Sequence, residues 1–250
     1  MRHRWGVVFV LCGVLSSWGW AGQEKPSQAV PVEVTVEQVL ERYVQACGGK
    51  EALEKVTSQV SRGTVEIPAV GVRGTFESYA QAPNKIVISI ELPGLGVIQE
   101  GFDGTVAWAK DPFTGVREKG GRELSAMRRD ADFYKPLRLK ELYSKITLKG
   151  RETMGGSEVY VLEATPAEGS PERWYFDVAT GLLKRIDTER EGPQGRIPME
   201  MYLEDYREVN GLRIPFTVRQ VSSAFSLILR TEEVKFNVPI EGSKFAKPAS

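Results

Sequence analysis

Apolar positions in the first part of the chain that shows a clear pattern follow a helical period. In TVEQVLERYVQACGG, from residue 35, the residues Val36, Val39, Leu40, Tyr43, Val44 and Cys47 fall on one stripe. Thr35 and Gln38 have the spacing of a capping box, and Gly48-Gly49 provide the left-handed backbone that ends a helix. KEALEKV continues with a shorter helical piece that turns Ala52, Leu53 and Val56 inward. After Thr57 the period drops to two. SQVSRGTVEI, GVRGTFESYAQA and KIVISIEL read as strands, and the last of these sets Ile86, Ile88, Ile90 and Leu92 on one face. GVIQEGF, with Ile98 and Phe102, runs back from a Pro93-Gly94 turn, and FDGTVAWAKDPF makes a hairpin at Asp103-Gly104. Turns this short join antiparallel strands only.

Between Gly120 and Tyr143 the alternation stops. GGRELSAMRRDADFYKPLRLKELY is rich in helix formers and holds Pro136, which predicts two short helices with a hinge near Asp130 or Pro136. Their apolar residues are Leu124, Met127, Phe133, Leu137 and Leu142. Strands then resume through ERWYFDV and PMEMYLEDYREV, with a type I′ turn signal at Asn210-Gly211. The pattern predicts an α+β, mainly β fold. About ten or eleven strands form a large curled antiparallel sheet, an open half-barrel. The N-terminal helix and the short mid-chain helices cover its concave face.

The N-terminus changes the composition that matters. MRHRWGVVFVLCGVLSSWGWA has the basic start, short apolar run and small terminal residues of a cleaved secretory signal, which predicts export to the periplasm. The expected organisation is a signal peptide at 1–21, a polar, proline-containing leader at 22–34, one domain at 35–245 and a tail at 246–250. Removal of the signal takes away the one histidine, His3, and leaves Cys47 as the one cysteine. A serine–histidine or cysteine–histidine pair is then excluded, as are an intramolecular disulfide and a histidine–cysteine zinc site. Nothing in the chain calls for a cofactor. Lys and Arg balance Asp and Glu at 33 each, and loss of Arg2 and Arg4 leaves a small negative excess, so no nucleic acid partner is expected.

Candidate catalytic groups are sparse. Glu204-Asp205 and Glu232-Glu233 are neighbours on strands and point to opposite faces. Asp130 and Asp132 lie in a charged helix connection and read as a solvated face. PGLG and GGRE lack the strand–loop–helix setting of a phosphate loop. Adaptable apolar residues are more abundant: Trp108, Trp174, Phe176, Met199 and Met201 join the isoleucine row at predicted concave positions. By periodicity alone these read first as a packed core, with the wall of an apolar pocket as the alternative.

FDGTVAWAKDPF resembles a hairpin of the periplasmic lipoprotein carriers of the LolA/LolB-like family, with Asp103, Gly104, Trp108, Pro112 and Phe113 at the matching places. GTFESYAQAPNKIVISIELP and KFNVPIEG are similar to that family's strand–Pro-Asn–strand and closing segments, and the order of elements fits. The resemblance implies a hollow half-barrel that binds acyl chains of lipids or lipoproteins, working with inner- or outer-membrane sorting components, and no enzyme. The cavity walls would then be Ile86, Ile88, Ile90, Leu92, Ile98, Phe102 and Trp108 on one side. Trp174, Phe176, Met199 and Met201 would form the other side, roofed by Leu124, Met127, Phe133 and Leu137. In the carriers an arginine just before the Pro-Asn latches the helical lid. Ala82 stands there in this chain, so the latch is absent or comes from another residue such as Arg73 or Arg62. Two alternatives are a periplasmic sensor domain of the same fold that grips an anti-sigma-type partner, and a carboxylate-dependent hydrolase.

Overall fold

The structure, a computed structural model, describes residues 34–192, 195–223 and 225–249. The expected export segment and all but the last residue of the leader lie outside the described residues. Helix α1 (Val36–Ala46) begins on the predicted capping box: the Gln38 N–H donates to Thr35 Oγ1 at 3.3 Å, and the Thr35 N–H donates to Gln38 Oε1 at 3.0 Å. It ends at Gly48, whose φ of +120° and closeness to the carbonyl of Gly211 leave no room for a Cβ. Helix α2 (Lys50–Glu54) follows.

Thirteen strands are then laid down in two runs. The first run is β1 (Ser58–Ile67), β2 (Val72–Gln81), β3 (Lys85–Leu92), β4 (Gly96–Phe102), β5 (Ala107–Asp111) and β6 (Gly115–Glu118). Two helices, α3 (Gly121–Asp130) and α4 (Lys135–Leu142), interrupt the strands. The second run is β7 (Lys145–Met154), β8 (Ser157–Thr165), β9 (Glu172–Asp177), β10 (Leu183–Gly192), β11 (Gly195–Val209), β12 (Leu212–Ser222) and β13 (Ser226–Phe236). The count exceeds the expected ten or eleven. The four-residue β6, opened by Gly115, is too short to display an alternation.

All thirteen strands form one antiparallel sheet in the order β6-β5-β4-β3-β2-β1-β13-β12-β11-β10-β9-β8-β7. The first and last strands pair at its centre, and the edges are β6 and β7. The chain gets from one edge to the other through α3 and α4. Helix α3 touches both β5 and β10, which lie eight places apart in the order. In a flat sheet that separation is about 38 Å, whereas a ten-residue helix is about 15 Å long. The sheet therefore curls, and the helices cross its open side. The break between them falls after Asp130 as predicted, and Pro136 sits in the first turn of α4, where a missing N–H costs nothing.

Turn chemistry agrees with the pattern at most hairpins. Asn210 and Gly211 both have positive φ, as a type I′ turn requires. The Asp103-Gly104 hairpin is wider than expected. Its loop runs over residues 103–106, and Asp103 Oδ1 accepts from the N–H groups of Thr105 and Val106, both at 2.8 Å.

Register sorts the side chains by face. Ile86 lies opposite Phe102, and Gly101 lies opposite Trp108. On the concave face Phe102 and Ala107 pack against Ala131, with Leu124 and Met127 of α3 beside them. Trp174, Phe176 and Leu162 pack under α1 and α4 against Val39, Leu40 and Leu139. Trp108, expected in the cavity wall, faces the other way. Its ring lies across Gly101, where a Cβ would stand 2.5 Å from it. Its Nε1 donates to the Phe245 carbonyl at 2.9 Å. The C-terminal 3-10 turn Gly242–Phe245 covers it, with Val87 alongside. Parity decides this placement, because residue 108 is out of phase with the inward Phe102 and Ala107.

Gly101→Ala should overpack this convex cluster and lower stability by about 1–3 kcal/mol, measured by urea unfolding. Combined with Trp108→Phe, part of that loss should be recovered. Strictly additive losses in the double variant would contradict the packing described.

Candidate functional site

A cavity of about 660 Å³ lies between α3 and the concave face, within the ~300–1,000 Å³ usual for small-molecule sites. Its floor is apolar. Ile86 and Ile88 come from β3, Ile186 from β10, and Met199 and Met201 from β11, while Met127 of α3 faces the same space from the roof. Ile186 stands opposite Met201 in the ladder, and Thr188 opposite Met199, so β10 and β11 present one continuous inner surface.

Five of the fifteen predicted residues line this space: Ile86, Ile88, Met127, Met199 and Met201. Phe102 and Leu124 are packed beneath α3. Ile90, Leu92 and Ile98 join Val65, Phe76 and Leu229 in a filled part of the half-barrel. Trp174 and Phe176 belong to the closed core under α1 and α4. Phe133 stands edge-on to Tyr134 at 5.3 Å, and Leu137 is half-buried on α4. Large aromatic and branched residues thus fill parts of the half-barrel, and Ile86, Ile88, Ile186, Met199 and Met201 bound the free volume.

Sequence reasoning missed the other wall, which is charged. Asp130, at the end of α3, accepts from Lys135 Nζ at 2.8 Å and from Arg190 Nη1 of β10 at 2.6 Å. Burial opposes its charge, yet the two cations outweigh burial and hold its carboxyl well below the usual carboxylate range. Lys135 is likewise held up by Asp130 against the burial that would lower it. Asp132 is buried and takes Arg138 at 2.6 Å. The expectation of a solvated face for Asp130 and Asp132 is therefore corrected: Asp132 is anchored by the nearby Arg138, and Asp130 by the nearby Lys135 and by Arg190, which folding brings in from β10. The available signal was Arg190, which continues the inward phase of Ile186 and Thr188 and is a charge where an apolar residue belongs.

These contacts tie down the helical cover. Arg117 of β6 holds Glu123 of α3 with two bonds of 2.7 Å, and Arg190 holds Asp130 from the opposite side. Phe133 N–H donates to the Pro83 carbonyl at 2.9 Å, next to Ala82. The suggested latch residues serve elsewhere: Arg62 pairs with Glu77 and Glu233, and Arg73 with Glu66. Of the other carboxylates weighed for chemistry, Glu204 is engaged with Arg219, Asp205 with Arg207, and Glu233 with Arg62 and Lys235. Burial pushes the Cys47 thiol up to about 11, which leaves it inert as a nucleophile.

Strand directions alternate, so the β1–β2, β3–β4, β5–β6 and β12–β13 turns share one end of the sheet. The exposed large apolar residues Val70, Leu95, Phe113 and Phe225 sit at those four turns. Phe225 also lines the cavity, so the hollow reaches this apolar end.

Asp130→Asn should loosen α3. At neutral pH we expect a loss of about 1–2 kcal/mol, below the ~3–5 of a fully buried pair, because the carboxylate is 32% exposed. Faster amide exchange in α3 should accompany it. A carboxyl with a depressed folded-state pKa stabilises above its unfolded value of about 4 and loses that contribution as pH falls. The wild type should therefore weaken more steeply below about pH 4 than the variant, and parallel pH profiles would count against the arrangement.

No protein-family model matches the chain, and no curated protein matches it in sequence. Solved structures do match in fold. A DUF1329 family protein from Desulfovibrio piger is 16% identical, with 86% of this chain and 98% of that chain covered at a TM-score of 0.57. A LolA superfamily protein from Nitrosomonas europaea is 14% identical, with 86% and 99% covered at 0.56. An outer membrane lipoprotein-sorting protein domain from Vibrio parahaemolyticus is 14% identical, with 84% and 96% covered at 0.53. Nearly the whole of each of these structures superimposes on the described domain, so the chain shares the fold of this LolA-like group, present here as an unclosed curled sheet covered by helices.

Proposed function

We propose that this protein is a periplasmic carrier or binder of acyl chains, borne on lipids or lipoproteins, in outer-membrane lipoprotein sorting. In this reading residues 1–21 direct export and residues 35–245 form the carrying domain. The observation that carries the proposal is the floor of Ile86, Ile88, Ile186, Met199 and Met201 beneath α3. Each methylene transferred from water to such a surface gains about 0.8 kcal/mol. Ten would supply roughly 8 kcal/mol before the costs of ordering. Methionines suit the task because an unbranched thioether adapts to chains of different shape.

Binding is favoured over catalysis by the state of the carboxylates at the cavity. Asp130, Glu123 and Glu189 are each held by a cation at 3.1 Å or less, a poor state for a general base. The roof suits a carrier because α3 contributes few large apolar contacts and is fastened mostly by ion pairs, which exchange readily with water. The apolar turn tips at the end reached by the cavity suit contact with a bilayer during loading or release.

Protein purified without detergent and extracted into organic solvent should yield acyl species by mass spectrometry. Met201→Trp should fill the floor and weaken binding of the neutral dye N-phenyl-naphthylamine by about tenfold; unaltered dye binding would place the ligand elsewhere. Val70→Ser combined with Phe113→Ser should slow dye transfer to phospholipid vesicles while leaving dye affinity unchanged. Transfer at the wild-type rate would remove the tips from the mechanism.

A further inference from the structure

The charged wall carries an inference about the ligand's head. It rests on the acyl-binding reading and adds a chemical class to it. Among the described residues that line the cavity, and setting aside Arg122, which has a partner of its own, six are Lys or Arg and five are Asp or Glu. Three outer cations are matched one to one: Arg117 with Glu123 at 2.7 Å, Lys119 with Glu100 at 2.9 Å, and Arg196 with Glu189 at 3.1 Å. At the inner end Arg129, Lys135 and Arg190 face two carboxylates, Asp130 and Glu172. Asp130 is occupied by Lys135 and Arg190.

Arg129 is left with the weaker share. Glu172 Oε2 already accepts from Tyr143 OH at 2.8 Å and from Trp174 Nε1 at 3.0 Å. Its Oε1 stands 3.9 Å from Arg129 Nη2, too far for a hydrogen bond. Arg129 Nη1 donates to the Glu168 backbone carbonyl at 3.1 Å, a neutral acceptor. Its Nε is buried and has no acceptor. The side chain is only 14% exposed, so water compensates little of its charge, and its guanidinium is steadied over the Tyr143 ring at 5.7 Å. A desolvated guanidinium whose charge meets no carboxylate within hydrogen-bond distance is matched by an oxyanion, which accepts several N–H groups in one plane. Arg129 lines the same cavity as Ile86, Ile186, Met199 and Met201, so the cation and the apolar floor bound one space.

We propose that the cavity binds an amphiphile with an oxyanionic head, a carboxylate or a phosphate, seated at Arg129, and an acyl tail along the isoleucine–methionine floor. The head class follows from the surplus cation and the tail from the floor, and neither requires the other.

Displacement of N-phenyl-naphthylamine by probes with one common tail tests this: dodecanoate, dodecyl phosphate and monododecanoyl glycerol. The two anionic probes should displace the dye at about one tenth the concentration of the neutral one. Arg129→Gln should abolish most of that ratio, and Arg129→Lys should keep part of it, because charge remains while the planar fork is lost. Equal affinity for all three probes in the wild-type protein would overturn the head assignment and leave the acyl carrier standing; this comparison needs no variant and is immune to misfolding. Failure of every probe to displace the dye would overturn both readings. Inorganic phosphate or acetate competing as well as the matching amphiphile would overturn the lipid assignment in favour of a plain anion site.

Discussion

A thirteen-stranded antiparallel sheet has an apolar inner face and two open edges, and in this protein one segment of chain answers to both. Strands are added outward from the centre to β6, and the second run must begin again at β7, the far edge. The connection between them has to span the gap. Because it is helical and short, the edges are drawn toward each other, and the sheet curls under its own cover. The hollow, the roof and the position of every inward side chain follow from this crossing.

The crossing segment is not an ordinary hydrophobic lid. Leu124, Met127 and Ala131 recur on one face of α3 and rest on Phe102 and Ala107, but no residue within α3 is fully buried. Its remaining ties are polar: Glu123 to Arg117 at one edge, Asp130 to Arg190 on the other side, and Ser125 to Glu168 beyond the end of β8. A roof closed by burial alone would resist opening in proportion to its apolar area. A roof closed by partly exposed ion pairs can exchange them for water at modest cost, which separates the stability of the sheet from the mobility of its cover.

The same ion pairs give the cavity its second wall. Placed opposite the isoleucine and methionine floor, they make an amphipathic chamber. Filling is uneven along the half-barrel: Val65, Phe76, Leu92 and Leu229 close one part, and Trp174 and Phe176 close another. The open volume lies where unbranched or β-branched residues of moderate bulk replace aromatics on the inner face.

The architecture was legible because it rests on local rules. The Thr35 capping box, the Asn210-Gly211 turn, the period-two rows and the helix break after Asp130 are written in residues close together in sequence, and the folded chain keeps all of them. The candidate site was legible in part. Ile86, Ile88, Met127, Met199 and Met201 could be named as inward residues from periodicity, but the same rule named Trp108, whose face depends on a loop that shifts the phase of β5 relative to β4. Whether an inward residue fills space or borders it also depends on what stands across the hollow, so Ile88, packed against the same cluster as Ile90, also borders the cavity while Ile90 does not. The charged wall was the least legible. Asp130 and Arg190 are sixty residues apart, and they meet only because the sheet curls far enough for α3 to reach β10. Short-range chemistry in the sequence determines strands, helices, turns and the apolar inner face; the tertiary fold decides which groups confront each other across the hollow, because that confrontation is a property of the curvature and not of any one segment.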